Sequence, residues 1–421
     1  MSANEAVSTQ DPVTYSGVIM EERTTAQPGD RMTVGTTRGF DALTERPYAD
    51  VLIIGGGIIG ASLAAQCARR GMVVTLCERD RLAAAASGRN AGFVVGPHPP
   101  ELQAIAELSL REYRELHFST GGAFAYDRDS IGSVVVAEDA ADLADAPGEL
   151  VTGAALREVE PELAGDLAGG YLIEARRIDP AAATMAWADE ARSYGAAVHT
   201  SCEARGLVRR AGTVVGAITD QGQLLARTTV VAAGPWSWQL TRGTGFDVPV
   251  RGVRGFVALT RPAPFRLRHL IEDAAWDPLS LAPVTVQALA DGAPRPSSFA
   301  TGLGQDDDGR ILIGASHTRA TDDHEVAPET LAEVCRRAIR FVPALAELEV
   351  AATRSCLRPM TPDGLPLHGP VPGEDGLVLC CGHNAQGVTW GPGAAAVTAD
   401  SLVSGQWDAA LLPDRFAAVP T

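Results

Sequence analysis

From Ala49 onward the apolar positions fall into regular runs, whereas residues 1–46 are rich in Thr, Glu, Gly and Asp and show no sustained apolar period. That first stretch reads as a flexible N-terminal tail. The apolar run at 51–54 predicts a strand, the Ala-rich stretch 58–70 a helix closed by Gly71, and 72–77 a second strand. Together they make half of a βαβ unit. Further on, "LVRRAGTVVGAITDQGQLLARTTVVAAG" alternates apolar and polar residues around the turns "RAG" and "DQG", which predicts an antiparallel meander ending in a buried strand. Residues 326–345 predict a helix, and a last helix is expected to follow Pro392, run through "AAAVTADSLVSG" and stop at Gly405. The chain has 421 residues, more than one hydrophobic core ordinarily supports, so two intertwined domains are expected.

Composition narrows the function classes. Apolar residues make up 46% and charged residues 21%, no apolar stretch has membrane-spanning length, and no signal-peptide order is visible, so a cytoplasmic chain is expected. The formal net charge is −17, which repels a nucleic-acid backbone. All 35 basic residues are arginine, which removes Schiff-base chemistry and any lysine-dependent phosphate loop. Seven cysteines without a C-x-x-C pair suit a reducing compartment, and eight histidines without H-E-x-x-H spacing give no ground for a metal site.

Within "VLIIGGGIIGAS", Gly55, Gly57 and Gly60 supply the G-x-G-x-x-G pattern between a strand and a helix. The first glycine permits the tight turn, the second lets the backbone approach a pyrophosphate at the helix N-terminus, and the third lets helix and strand pack closely. Ile58 and Ile59 open that helix. Glu78 lies eighteen residues beyond Gly60 at the end of the second strand, where its carboxylate suits ribose hydroxyls and repels a 2′-phosphate; Arg79 follows it. NAD and FAD both fit this much.

More specific are "AAAASGRNAGFVVG" at 83–96 and "SCLRPMTPDGLPLHGPVPGEDGLVLCCGHNAQGVTWGPGAAA" at 355–396, with "RIDPAAATMAWADEARSYGAAVHT", "VVAAGPWS", "VPVRGVRG" and "DDDGRILIGAS" between them in order. From about residue 49 to 405 the chain resembles the FAD-dependent amino-acid oxidase superfamily, which includes D-amino-acid oxidase and dehydrogenase, glycine oxidase, sarcosine oxidase and gamma-glutamylputrescine oxidase. The resemblance implies a mixed α/β fold: a Rossmann-like FAD-binding domain built from 47–96, 171–240 and 351–410, and a substrate-binding domain with a mixed or antiparallel sheet built from 97–170 and 241–350. It further implies that Ser87, Gly88, Arg89, Asn90, Ala91 and Gly92 flank the ribityl chain and flavin, that Gly234 passes near the cofactor, and that Gly382, His383, Gly387 and Val388 bring backbone N–H groups to the flavin N1–C2=O edge.

In "CLRP", Arg358 occupies the place of the arginine that binds the substrate carboxylate in the glycine-oxidase and D-amino-acid-oxidase branches. A planar guanidinium can hold a carboxylate bidentately. Cys356 stands where many relatives have glycine and where sarcosine oxidases carry the cysteine of a flavin thioether, so FAD is expected to be noncovalent, with Cys356 the alternative point of attachment. Arg254 is a further pocket candidate, with a structural salt bridge the competing reading. The implied reaction is hydride transfer from a C–H beside the nitrogen of a small amine or amino acid, with oxygen or another acceptor taking the electrons afterwards. The lysine that activates oxygen in sarcosine oxidases has no counterpart here. A hydroxyglutarate-type FAD enzyme acting on 2-hydroxy acids is the alternative.

Overall fold

The computed structural model describes residues 48–127, 130–275, 298–319 and 328–417. The tail expected at 1–46 lies outside them.

Two large sheets organise the described residues. The first runs β16(Leu367–Pro370), β17(Leu377–Cys381), β10(Gly222–Val231), β1(Ala49–Ile54), β2(Val74–Cys77), β7(Ala197–His199), with β8(Ala204–Arg210) and β9(Thr213–Thr219) joined to β10. β17, β10, β1, β2 and β7 are mutually parallel. The expected meander is present, and β10 explains how it ends in a buried strand. Its first half, from Gly222 to Leu225, pairs antiparallel with β9, and its second half, from Ala226 to Val231, pairs parallel with β1.

The first helix, Ile58–Arg69, is buried almost all round because alanine and glycine let its neighbours approach: the helices Pro180–Ser193 and Gly387–Ser404 both pack against it. The core between them contains Ile53, Leu63, Leu76, Trp187 and Val230. At the helix's far end Arg69 bridges Glu112 and Glu190, tying it to two helices at once.

The last helix departs from expectation. It begins at Gly387, so Pro392 lies inside it rather than at its start. Proline has no N–H for the carbonyl four residues back. That carbonyl, on Val388, instead accepts from the Tyr113 hydroxyl at 2.9 Å, and the next amide, Gly393 N–H, donates to Ser109 Oγ at 2.8 Å. Both side chains come from the buried face of the helix Pro100–Ser119, so a neighbouring element satisfies the broken turn.

The second sheet has the order β15(Val350–Met360), β11(Arg251–Pro262), β14(Arg310–Arg319), β13(Ser298–Gln305), β12(Leu270–Asp273), β4(Ser133–Ala137), β5(Gly169–Ile173). A small ribbon pairs β3(Phe93–Val95) with β6(Ala175–Arg177). Two strands cross the boundaries expected at 171 and 351: β5 and β15 both pair into this second sheet, β15 along ten residues of β11. Period-two alternation gives the sheet two distinct faces. Val134, Val136, Ile271, Leu303 and Ile313 pack under the helix Pro328–Phe341, while the alternate residues face a large cavity.

Candidate active site

The cavity has a volume of about 1150 Å³ and runs from the loop after β1 to the exposed face of the second sheet. Of the glycines expected at the site, Gly60, Gly88 and Gly382 do not line it, and among the other expected residues Arg254 alone does not. The three glycines lie behind its wall. A Cβ on Gly60 would strike the Gly55 carbonyl, so this glycine acts in helix–strand packing, while a Cβ on Gly88 would strike the Ala83 carbonyl. A Cβ on Gly382 would strike Thr361, and its carbonyl accepts from Asn384.

At one end, Gly55 takes φ +118°, and a Cβ there would lie 2.5 Å from Ala232 O. The first helix begins at Gly57 with no side-chain cap on its own chain segment and no acidic residue in its first turn. Its positive end therefore faces the cavity. Ser87 Oγ accepts from Ile58 N–H at 2.9 Å, which leaves its own proton free to donate. Glu78 accepts from Gly56 N–H at 2.6 Å and Asp80 N–H at 2.9 Å, holding the carboxylate at the wall with lone pairs to spare. Opposite, the Arg79 guanidinium lies 3.8 Å from the centroid of the Trp236 ring.

A single helical turn, Ala86–Arg89, leads into a non-helical segment through Gly92, and Asn90 holds the two together. Its Nδ2 donates to Ala86 O and its Oδ1 accepts from Gly92 N–H at 2.7 Å. A second loop, residues 383–388, brings the uncapped N-terminus of the last helix to the cavity. Asn384, which the sequence reading did not single out, fixes this loop: it takes φ +51°, accepts from Thr361 N–H and donates to Gly364 O. His383 Nε2 sits 3.0 Å from His368 Nε2. Burial drives the His383 pKa down to about 3, and burial with His383 beside it drives His368 well below its usual value, so both are neutral and share one proton between the facing nitrogens. Cys380 completes a buried trio with them, but burial pushes its thiol up to about 12, and the Thr398 hydroxyl donates to it. The trio is a buried polar cluster in which His368 Nδ1 has no hydrogen-bond partner among the described residues.

The other end is built by side chains on the second sheet. Arg358 projects from β15 across Gly255, whose missing side chain makes the room it occupies, and its Nη1 donates to Ser316 O at 2.6 Å. Burial lowers its pKa, but guanidinium remains charged. Among the described residues no carboxylate pairs with it. Cys356, two residues away on the same face, is buried, and burial raises its pKa. Arg254 is buried but does not line the cavity, because alternation along β11 turns Gly255 and Val257 toward it and Arg254 away. Tyr171, Val135, Glu272, Gly302 and Gly314 form one lateral row across β5, β4, β12, β13 and β14, all on the cavity face. The sequence reading named none of them. The acidic pair in "HLIEDA", closing an apolar strand, was the one available signal.

Open helix N-termini, a ribose-suited acid and a volume above the roughly 300–1,000 Å³ of ordinary ligand pockets suit a dinucleotide with room for a small substrate. Comparison with known proteins agrees. The family model described as "FAD dependent oxidoreductase" matches residues 50–401. The chain is 28% identical over 379 residues to glycine oxidase of Pseudomonas aeruginosa, covering 85% of this chain and 95% of that one. It is also 28% identical to glycine oxidase of Geobacillus kaustophilus, over 83% of this chain and 92% of that one. Among solved structures, glycine oxidase from Bacillus cereus superposes with a TM-score of 0.74 at 25% identity, covering 86% of this chain and 97% of that chain. The chain therefore belongs to the family of FAD-dependent oxidoreductases, as a glycine-oxidase-like member whose cofactor is FAD.

Proposed function

We propose that this enzyme oxidises the C–N bond of a small amine carrying a carboxylate, an amino acid or N-substituted amino acid, to the imine. The observation that carries the reading is Arg358: a guanidinium on the cavity wall with one backbone acceptor and no carboxylate partner among the described residues. Bound FAD supplies the acceptor for the hydride. The rest is the work of side chains and backbone. The helix N-terminus at Gly57 and the Ser87 hydroxyl would hold the pyrophosphate, Glu78 the ribose hydroxyls, and the N–H groups of Gly387 and Val388 the polar edge of the ring system. Arg358 would grip the substrate carboxylate through its remaining donors and so fix which C–H faces the ring. Attachment is read as noncovalent, since the raised pKa of Cys356 disfavours the thiolate a thioether would need. The seven cysteines are all free, which supports the reading of a cytoplasmic enzyme. Oxygen or another acceptor closes the cycle.

Anaerobic mixing of the yellow holoprotein with pools of small amino acids, N-methyl amino acids and 2-hydroxy acids tests the reading. Bleaching of the visible band by an amine pool is expected. Bleaching by 2-hydroxy acids alone would overturn it.

A further inference from the structure

The second sheet presents two charged side chains to the same cavity from opposite sides of a bare floor. Glu272 lies in register with Gly302, and Gly302 with Gly314. A Cβ on either glycine would meet nothing closer than 3.7 Å, so the floor is empty by residue choice and not by backbone constraint. Ser316, whose carbonyl holds the Arg358 guanidinium, is two residues beyond Gly314 on β14. The carboxylate on β12 and the guanidinium held over β14 thus share one face, with the backbone positions beneath them two strand spacings across and two residues along, roughly 12 Å apart. Among the described residues no cation pairs with Glu272. Its chain neighbour Asp273 turns to the other face, where Arg337 holds it. Tyr171 from β5 is the titratable group that interacts with Glu272, the Ser133 hydroxyl of β4 lies near it, and Arg358 from β15 lines the same cavity farther along the face.

We propose that Glu272 receives the substrate's amino group: its carboxylate pairs with the ammonium and takes one proton from it, leaving the nitrogen lone pair that C–H oxidation requires. The inference rests on the reading of Arg358 as the carboxylate anchor. The step balances within the site, one N–H bond breaking as one O–H bond forms, and the carboxyl returns the proton to solvent after the imine leaves. Burial raises the Glu272 carboxyl to about 7, nearer to an ammonium than an ordinary carboxylate is, so the transfer is less uphill. Arg358 and Glu272 together make the site complementary to a zwitterion, and a 2-hydroxy acid would leave Glu272 unmatched.

Two ligands that share a skeleton isolate the group: 2-methylalanine, a zwitterion with no α-hydrogen to lose, and isobutyrate, the same acid without nitrogen. Binding to the holoprotein is read by calorimetry and by the flavin absorption band. Glu272→Gln is expected to weaken 2-methylalanine tenfold or more at pH 8 while isobutyrate stays within twofold, with Glu272→Asp between wild type and Gln. In the unmutated protein 2-methylalanine should tighten as pH rises through about 7 and isobutyrate should not. Equal 2-methylalanine binding by wild type and Glu272→Gln, or a flat pH dependence for both ligands in wild type, overturns the proposal. Arg358→Ala should weaken both ligands; if it weakens neither, the carboxylate anchor fails whatever Glu272 does. The wild-type pH series stands even if a variant does not fold.

Discussion

The two ends of the cavity are built on opposite principles. The end at the parallel sheet is made mostly of backbone: two helix N-termini, two loops, and glycines that let them approach, with Glu78 and Ser87 beside them. The end on the second sheet is made of side chains, Arg358 and Glu272, on strands 86 residues apart in sequence. Backbone sites tolerate no added atom, whereas side-chain sites tolerate substitution and lose only the chemistry removed. Mutations should therefore separate cofactor retention from substrate recognition.

The largest expected effect is at Gly60. Gly60→Ala drives a methyl into the Gly55 carbonyl, so the variant should purify without the yellow colour or fail to fold, read as the ratio of flavin to protein absorbance. A fully coloured Gly60→Ala would break the contrast. Next is Arg358→Ala, expected to keep its flavin and lose roughly 100-fold in kcat/KM for carboxylated amines, the scale of a doubly charged hydrogen-bonded contact. Loss of flavin in that variant would show that the two ends are not separable.

Smaller effects sharpen the comparison. Glu272 is costly to the fold at high pH: its carboxyl titrates near 4.5 when unfolded and about 7 when folded. Below 4.5 it is protonated in both states and costs nothing; between 4.5 and 7 only the folded state keeps the proton, so stability falls as pH rises, and above 7 the cost is complete. Glu272→Gln should therefore raise the melting temperature of the flavin-free protein at pH 8, by at most about 3 kcal/mol of stability, and leave it unchanged at pH 4. Equal shifts at both pH values would contradict the assigned titration. Tyr113→Phe leaves the Val388 carbonyl without its donor, a loss of about 1–3 kcal/mol by denaturant unfolding, with weaker flavin retention because Val388 lines the cavity.

The same contrast explains what the sequence disclosed. Gly55, Gly57, Gly60 and Glu78 are legible because their function depends on local spacing along one βαβ unit. The row from Tyr171 to Gly314 is assembled by strand register between segments 143 residues apart, and nothing in a single strand announces its neighbours. Glycines in that row do no conformational work, so they look like any other strand residue weakened by a missing side chain. Pro392 misled for a related reason: proline signals a helix start when the lost bond stays with the helix, but Tyr113 and Ser109, nearly 300 residues earlier, supply the replacements. Asn384 was overlooked because its role depends on Thr361 and Gly364, which lie in the preceding loop.

The proline break also divides labour within the last helix. Its first turn is anchored to a neighbouring helix by a phenol on the Val388 carbonyl, and a serine holds the Gly393 amide just past the proline, so the turn at the cavity is fixed separately from the rod behind it. The helix Pro100–Ser119 contributes no residue to the cavity wall, yet it is the bracket that holds the turn lining that wall. Substitutions on that helix should then tune the reduction potential of a ring they never touch.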